Sequence, residues 1–243
     1  MCSIVESSMD GALAEKKVVL DPKAADTKAF TCKKCRVNKS VLNLRVRDTY
    51  CKDCFLLAMT HKFRSTLGKN KAMRPGDHVS VAFSGHPASI CLAHCIRSGV
   101  DEAQKRLLFD ATLLVVDESG AFNRTAEERE SFVRSLLSLA REFKFAVMIT
   151  PLEDALQPCD DESKDSIRLY DVGPDFVYEL PSSDQTERLR SVFAGIKEPS
   201  AKEDLLRNLK QRVIIRASKK MGVKKIFTAE SATSLAVTLL SGK

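Results

Sequence analysis

A chain of 243 residues with 44% hydrophobic content can hold one large domain, or a small domain joined to a larger one with a sizeable core. Its apolar runs, those at 113–116 and 145–149 among them, fall far short of the roughly 20 residues that a membrane-spanning helix needs. The net charge of +7 is concentrated: residues 28–74 carry 13 Lys/Arg against two Asp, a net of +11, which leaves −4 for the rest, so a polyanionic partner, nucleic acid by default, is expected of one short module.

Residues 1–27 are polar, mixed and without periodicity, and are expected to be disordered. They lack the basic start, apolar middle and cleavage site of a secretory signal, so a cytosolic or nuclear setting is expected. The eight cysteines then belong to metal sites, catalysis or cores rather than to disulfides.

Residues 28–75 read as a four-cysteine zinc module followed by a basic arm. Cys32-x2-Cys35 and Cys51-x2-Cys54 are separated by fifteen residues, the two-knuckle zinc spacing. Each knuckle can aim two thiolates at one tetrahedral centre, and the alternating stretch between them predicts a short hairpin that joins the knuckles. Four thiolates leave no open position, which points to a structural ion. A redox dithiol pair or iron–sulfur ligation are the alternatives. After Cys54 an amphipathic helix is expected, with Phe55, Leu56, Met59 and Phe63 on one face. Lys62, Arg64, Lys69, Lys71 and Arg74 remain for phosphates, or for nothing more than a solvated linker.

Residues 76–243 read as an α/β domain. Strands are predicted at 77–84, 111–117, 144–150 and 223–228, and helices at about 87–98, 124–143, 185–197, 200–221 and 231–240. Ser200 with Glu203 predicts a capping box at the start of the longest helix, and Gly222 its end. Apolar strands alternating with helices imply a parallel sheet covered on both faces. Ligands of such sheets bind beyond the strand carboxyl ends, where 83–89, FSGHPAS, and the turn at 117–120 both fall. The acidic, proline-broken segment 151–184 is expected to be a functional loop or a partly disordered insertion. Cys159 within it receives no role. Cys91 and Cys95 could hold a metal or simply pack on a buried helix face.

Together the CKKC and YCKDCF knuckles, HKFRSTLGKN, PGDHVSVAFSG and GVKKIFTAESATSLAVTLL resemble the cytoplasmic tRNA 2-thiolation protein 2 family, with gaps, from about Cys32 to Leu240. The resemblance implies an adenine nucleotide α-hydrolase fold, known for the PP-loop S-G-G-x-D-S. It implies a tRNA-binding subunit of a heteromeric sulfurtransferase that thiolates the wobble uridine of lysine, glutamate and glutamine tRNAs in the cytoplasm. The catalytic thiouridylase subunit would be its heterodimer partner, and a ubiquitin-related modifier the sulfur donor. Against the loop pattern Ser84, Gly85 and Ser89 match, His86 replaces the second glycine and Ala88 the aspartate. An imidazole at that glycine would crowd a pyrophosphate lying on the backbone. The loop is therefore read as degenerate, without adenylation of tRNA, which leaves ATP in doubt as a cofactor and no catalytic residue in the chain. The alternatives are a stand-alone ATP-dependent tRNA sulfurtransferase and a zinc-ribbon protein-binding adaptor. Family members continue beyond LLSGK with further sheet, so a C-terminally short form is expected.

Overall fold

The computed structural model describes residues 31–44, 48–100, 107–122, 124–157, 167–173 and 176–240. The expected disorder of 1–27 and the unassigned Cys159 lie outside the described residues. The chain divides into two compact units, Met1–Lys62 with Ala232–Lys243, and Phe63–Ser231.

In the first unit the hairpin is minimal. Strands β1, Leu42–Asn43, and β2, Thr49–Tyr50, pair antiparallel, with Leu42 opposite Tyr50. Its buried cluster is cysteine: Cys32, Cys51 and Cys54, with Cys35 and Tyr50 packed against them. Helix α1, Lys52–Lys69, begins in this unit. Helix α6, Ala232–Leu240, has no buried residue.

The second unit is built on a five-stranded sheet. Strands β3, His78–Phe83, β4, Asp110–Asp117, β5, Ala146–Pro151, and β7, Lys225–Phe227, are parallel. The spatial order is β6-β5-β4-β3-β7, with β6, Tyr170–Asp171, antiparallel at the edge. The expected parallel sheet is borne out for the four long elements. The exception, β6, comes from the polar segment 151–184, whose two-residue strand has no periodicity to reveal it.

Period-two alternation explains how the sheet is covered. Leu113 and Val115 of β4 face one side with Val79, Val81, Val147 and Ile149, against helices α2, Pro87–Val100, and α3, Ala126–Arg141. Leu114 and Val116 face the other side. There they meet Leu189 of α4, Ser183–Ala194, and Leu209, Val213 and Ala217 of α5, Pro199–Lys220. Truncating one of these fully buried aliphatics costs about 2–5 kcal/mol.

Helix punctuation is partly as expected. The end of α5 is a Schellman motif: Gly222 has φ +71°, its N–H bonds Lys219 O, and the Val223 N–H bonds Ser218 O. Its start is a correction. Glu198 is the N-cap without a side-chain bond, and Pro199 occupies the first turn, so Ser200 and Glu203 make no capping box. Proline fits there because its φ is preset and its missing N–H would be free. The capping box occurs instead at Thr125 and Glu128 of α3.

Candidate functional site

The four predicted knuckle cysteines come together. All four Sγ atoms lie within 4.8 Å of one another, with Cys35 Sγ 3.9 Å from Cys51 Sγ. Backbone turns place them: the Arg36 N–H bonds Cys32 O at 2.8 Å and the Cys32 N–H bonds Asn38 O at 2.9 Å, with Arg36 at φ +58°. The second knuckle runs into α1, where the Phe55 N–H bonds Cys51 O. The Asn38 N–H points at Cys35 Sγ, 3.5 Å away. Burial drives the Cys32 thiol up, but the backbone N–H groups of Cys35, Cys51 and Lys34 outweigh it and hold the thiol at about 6. The Asn38 N–H, first among its neighbours, lowers Cys35. Hydrogen bonding with Cys51, then burial, pushes Cys54 up to about 12. The group fits a single metal ion: thiolates placed tetrahedrally at about 2.3 Å from one ion stand about 3.8 Å apart.

The loop at 84–89 lies at the carboxyl end of β3, where the sheet order reverses. The His86 carbonyl accepts the Ile90 N–H at 3.0 Å and so opens α2, with Pro87 at its first helical position. The loop is bonded to itself. Ser89 Oγ donates to His86 O at 2.9 Å and accepts the Ser84 N–H at 3.3 Å. Gly85 has φ +73°, and a β-carbon there would meet Leu136 Cδ1 of α3 at 2.6 Å. The left-handed backbone therefore favours glycine at 85 with no appeal to a phosphate, and the Leu136 methyl would have to shift to admit a β-carbon. His86 has no such constraint, since its φ is not among the positive ones, and it is exposed.

Beyond the carboxyl ends of β4 and β5 the chain closes on its own side chains, a network that sequence reading missed. Buried Arg129 pairs with Asp117 at 2.7 Å and with Glu153 at 2.8 Å. Thr186 Oγ1 donates to Glu153 at 3.0 Å, Tyr178 OH to Asp117 Oδ2 at 3.0 Å, and the Ser119 N–H to Asp117 Oδ1 at 3.0 Å. Burial, reinforced by the Asp117 charge, raises the Tyr178 phenol and keeps it a donor. A β-carbon on Gly120 would strike Glu153 Oε1. The one available sequence signal was an isolated arginine on the inward face of α3.

The arm residues are placed as follows. Lys62, Lys69, Lys71 and Arg74 are exposed, while Arg64 is half-buried and donates toward Ser98 O at 3.5 Å. Cys95 is buried, and burial foremost pushes its thiol up to about 12; Cys91 is exposed. The described part of 151–184 is tied down: Arg168 pairs with buried Asp154, Lys220 donates to Ile167 O, and Arg141 to Gly173 O. No helix among the described residues is long and apolar enough to cross a membrane.

No family model matches the chain. It is similar to cytoplasmic tRNA 2-thiolation protein 2 of Aedes aegypti, 31% identical over 99% of this chain and 52% of the relative. The protein of that name from Danio rerio is 30% identical over 86% of this chain and 48% of the relative. Protein 2-B of Xenopus laevis is 29% identical over 92% and 52%. The expected resemblance is thus borne out, and the chain spans about half the length of the curated relatives it matches. Among solved structures, the U34-tRNA thiolase NcsA of Methanococcus maripaludis with its [4Fe-4S] cluster superposes with a TM-score of 0.57 at 16% identity, over 88% of this chain and 59% of that one. The fold is that of the thiolase.

Proposed function

We propose, from the chain's kinship with the cytoplasmic tRNA 2-thiolation protein 2 proteins, that it is a tRNA-handling, non-catalytic subunit of a cytoplasmic tRNA sulfurtransferase. It acts in 2-thiolation of the wobble uridine of lysine, glutamate and glutamine tRNAs. Its partners are a catalytic thiouridylase subunit and a ubiquitin-related modifier that delivers sulfur. The observation that carries the non-catalytic reading is the loop at 84–89: on a thiolase fold it has His86 and Ala88 where the PP-loop has glycine and aspartate, and its serines bond within the loop. Gly85, the most phosphate-like feature left, is explained by its φ and by Leu136.

The arm supplies the tRNA contacts in this reading. Exposed Lys62, Lys69, Lys71 and Arg74, with Arg64, present charge to phosphates, which give affinity and orientation without reading sequence. Cys32, Cys35, Cys51 and Cys54 hold a structural zinc ion, which supplies folding energy and no chemistry. The close grouping of the thiols favours a single ion over a four-iron cluster, whose thiolates sit on separate iron atoms and stand wider apart.

The reading is tested by tRNA retention against salt and by wobble thiolation in cells lacking the protein. Retention falls steeply with salt, and Lys69→Glu/Lys71→Glu weakens it. Thiolation is lost in the deletion and returns with a Ser84→Ala chain. A shallow salt dependence, or thiolation abolished by Ser84→Ala in a folded protein, contradicts it.

A further inference from the structure

The basic arm is built into the sheet unit rather than strung beside it. Phe63, Leu67 and Met73 pack against the core of that unit, and the end of α1 is closed by a Schellman pair, the Ala72 N–H on Leu67 O and the Lys71 N–H on Gly68 O. The residue that this motif holds in the left-handed region is ordinarily glycine, which enters it without strain. Here it is Lys71, exposed, with φ +47°. Such strain persists where the surrounding structure over-determines it, and strained residues cluster at functional sites. The surrounding structure here includes the distant strand β7. Lys225 Nζ donates to Ala72 O at 2.9 Å and pairs with Asp77 Oδ2, and the same carboxylate oxygen accepts the Arg74 N–H at 2.7 Å. One ion pair thus holds the chain at 72, 74 and 77. Between these points Pro75 and Gly76 make a tight turn, with Gly76 at φ +81° and the Asp77 N–H on Arg74 O at 3.1 Å. The Gly76 N–H on Leu108 O and the Asp110 N–H on Asp77 O fasten that turn to the start of β4.

We propose that Asp77 and Lys225 are positioning residues for RNA: their ion pair holds the exposed cations Lys69, Lys71 and Arg74 as a preformed edge for the phosphate backbone, without itself touching it. This rests on the tRNA-handling function proposed above. Global stability is a poor explanation of the pair, because its side chains are 36% and 24% exposed and ion pairs in such settings contribute little. What the pair does fix is one carbonyl and one N–H of an exposed segment, and with them the spacing of three cations. A rigid site avoids the ordering cost that a flexible lysine-bearing loop would incur on binding. Because phosphate contacts orient the ligand as well as attract it, fixed spacing also fixes how the RNA lies on the α/β unit.

The test measures binding of fluorescent tRNA to the full, zinc-loaded chain at neutral pH, below the unfolding midpoint of every variant. Charge alone predicts opposite signs: Asp77→Asn removes a negative charge and tightens RNA binding, while Lys225→Met removes a positive one and weakens it. Positioning predicts that both variants weaken it, by about fivefold, with the helical circular dichroism of the wild type. Lys225→Arg, which keeps the charge and the donors, stays within about twofold of the wild type. Amide hydrogen exchange gives a second reading that needs no variant, since the Arg74 amide is expected to be protected in the free chain. Tighter or unchanged binding by folded Asp77→Asn overturns the proposal and leaves the function reading standing. So does an Arg74 amide that gains protection only when tRNA is added, because the RNA would then order the arm itself. A wild-type chain that does not retain tRNA removes both this inference and the tRNA-handling function.

Discussion

The two units of the chain are held together by different physics. The four-cysteine unit surrounds its buried thiols with turns and a hairpin of two-residue strands, and the aliphatics of 31–44 are exposed. The unit Phe63–Ser231 buries branched aliphatics on both faces of a sheet and locks the ends of two strands with an internal ion network. The first has little apolar burial to fold by and instead gathers four thiols that could hold one metal ion. The second depends on packing.

Removing the proposed zinc ion is the largest expected perturbation and the sharpest test of that contrast. Chelation, or Cys51→Ser, unfolds the four-cysteine unit, a loss on the order of 10 kcal/mol of metal-derived folding energy. The helical circular dichroism of the α/β unit persists, and a single joint transition on chelation would break the contrast. Next is Arg129→Met, which strands Asp117 and Glu153 as buried charges. It destabilises the α/β unit by about 3–5 kcal/mol, read by denaturant unfolding, while zinc stoichiometry stays the same.

The fold was legible where periodicity is strong. The run 79–83 and the alternation of Leu113 to Val116 signal strands, and two C-x-x-C turns fifteen residues apart signal their own convergence. What sequence could not show was anything carried by distant partners. Arg129 meets Glu153 from 24 residues away and Tyr178 meets Asp117 from 61, with no local pattern to mark either. Ser200 misled because proline at 199 competes for the helix start. Gly85 matched a phosphate-loop pattern, yet its φ and Leu136 explain it without a ligand.

Smaller effects refine the comparison within the α/β unit. Gly85→Ala is expected to cost about 1–3 kcal/mol through its left-handed backbone and its contact with Leu136, seen as a lower unfolding midpoint. The smallest effect is electrostatic. The Asp77 carboxyl accepts a bond from Lys225 and another from the Arg74 N–H, which together hold its pKa below the usual value. Its stabilising effect is therefore full above the unfolded-state carboxylate pKa and is lost as pH falls through the lowered folded value. Asp77→Asn should lower the unfolding midpoint at neutral pH, and the gap from the wild type should close on acidification.

The central claim is that the loop at 84–89 no longer seats a nucleotide, and calorimetric titration of the zinc-loaded chain with ATP and Mg²⁺ tests it most directly. The account predicts no saturable heat through the micromolar range, with wild type and Ser84→Ala indistinguishable. Micromolar binding that disappears in Ser84→Ala would contradict it.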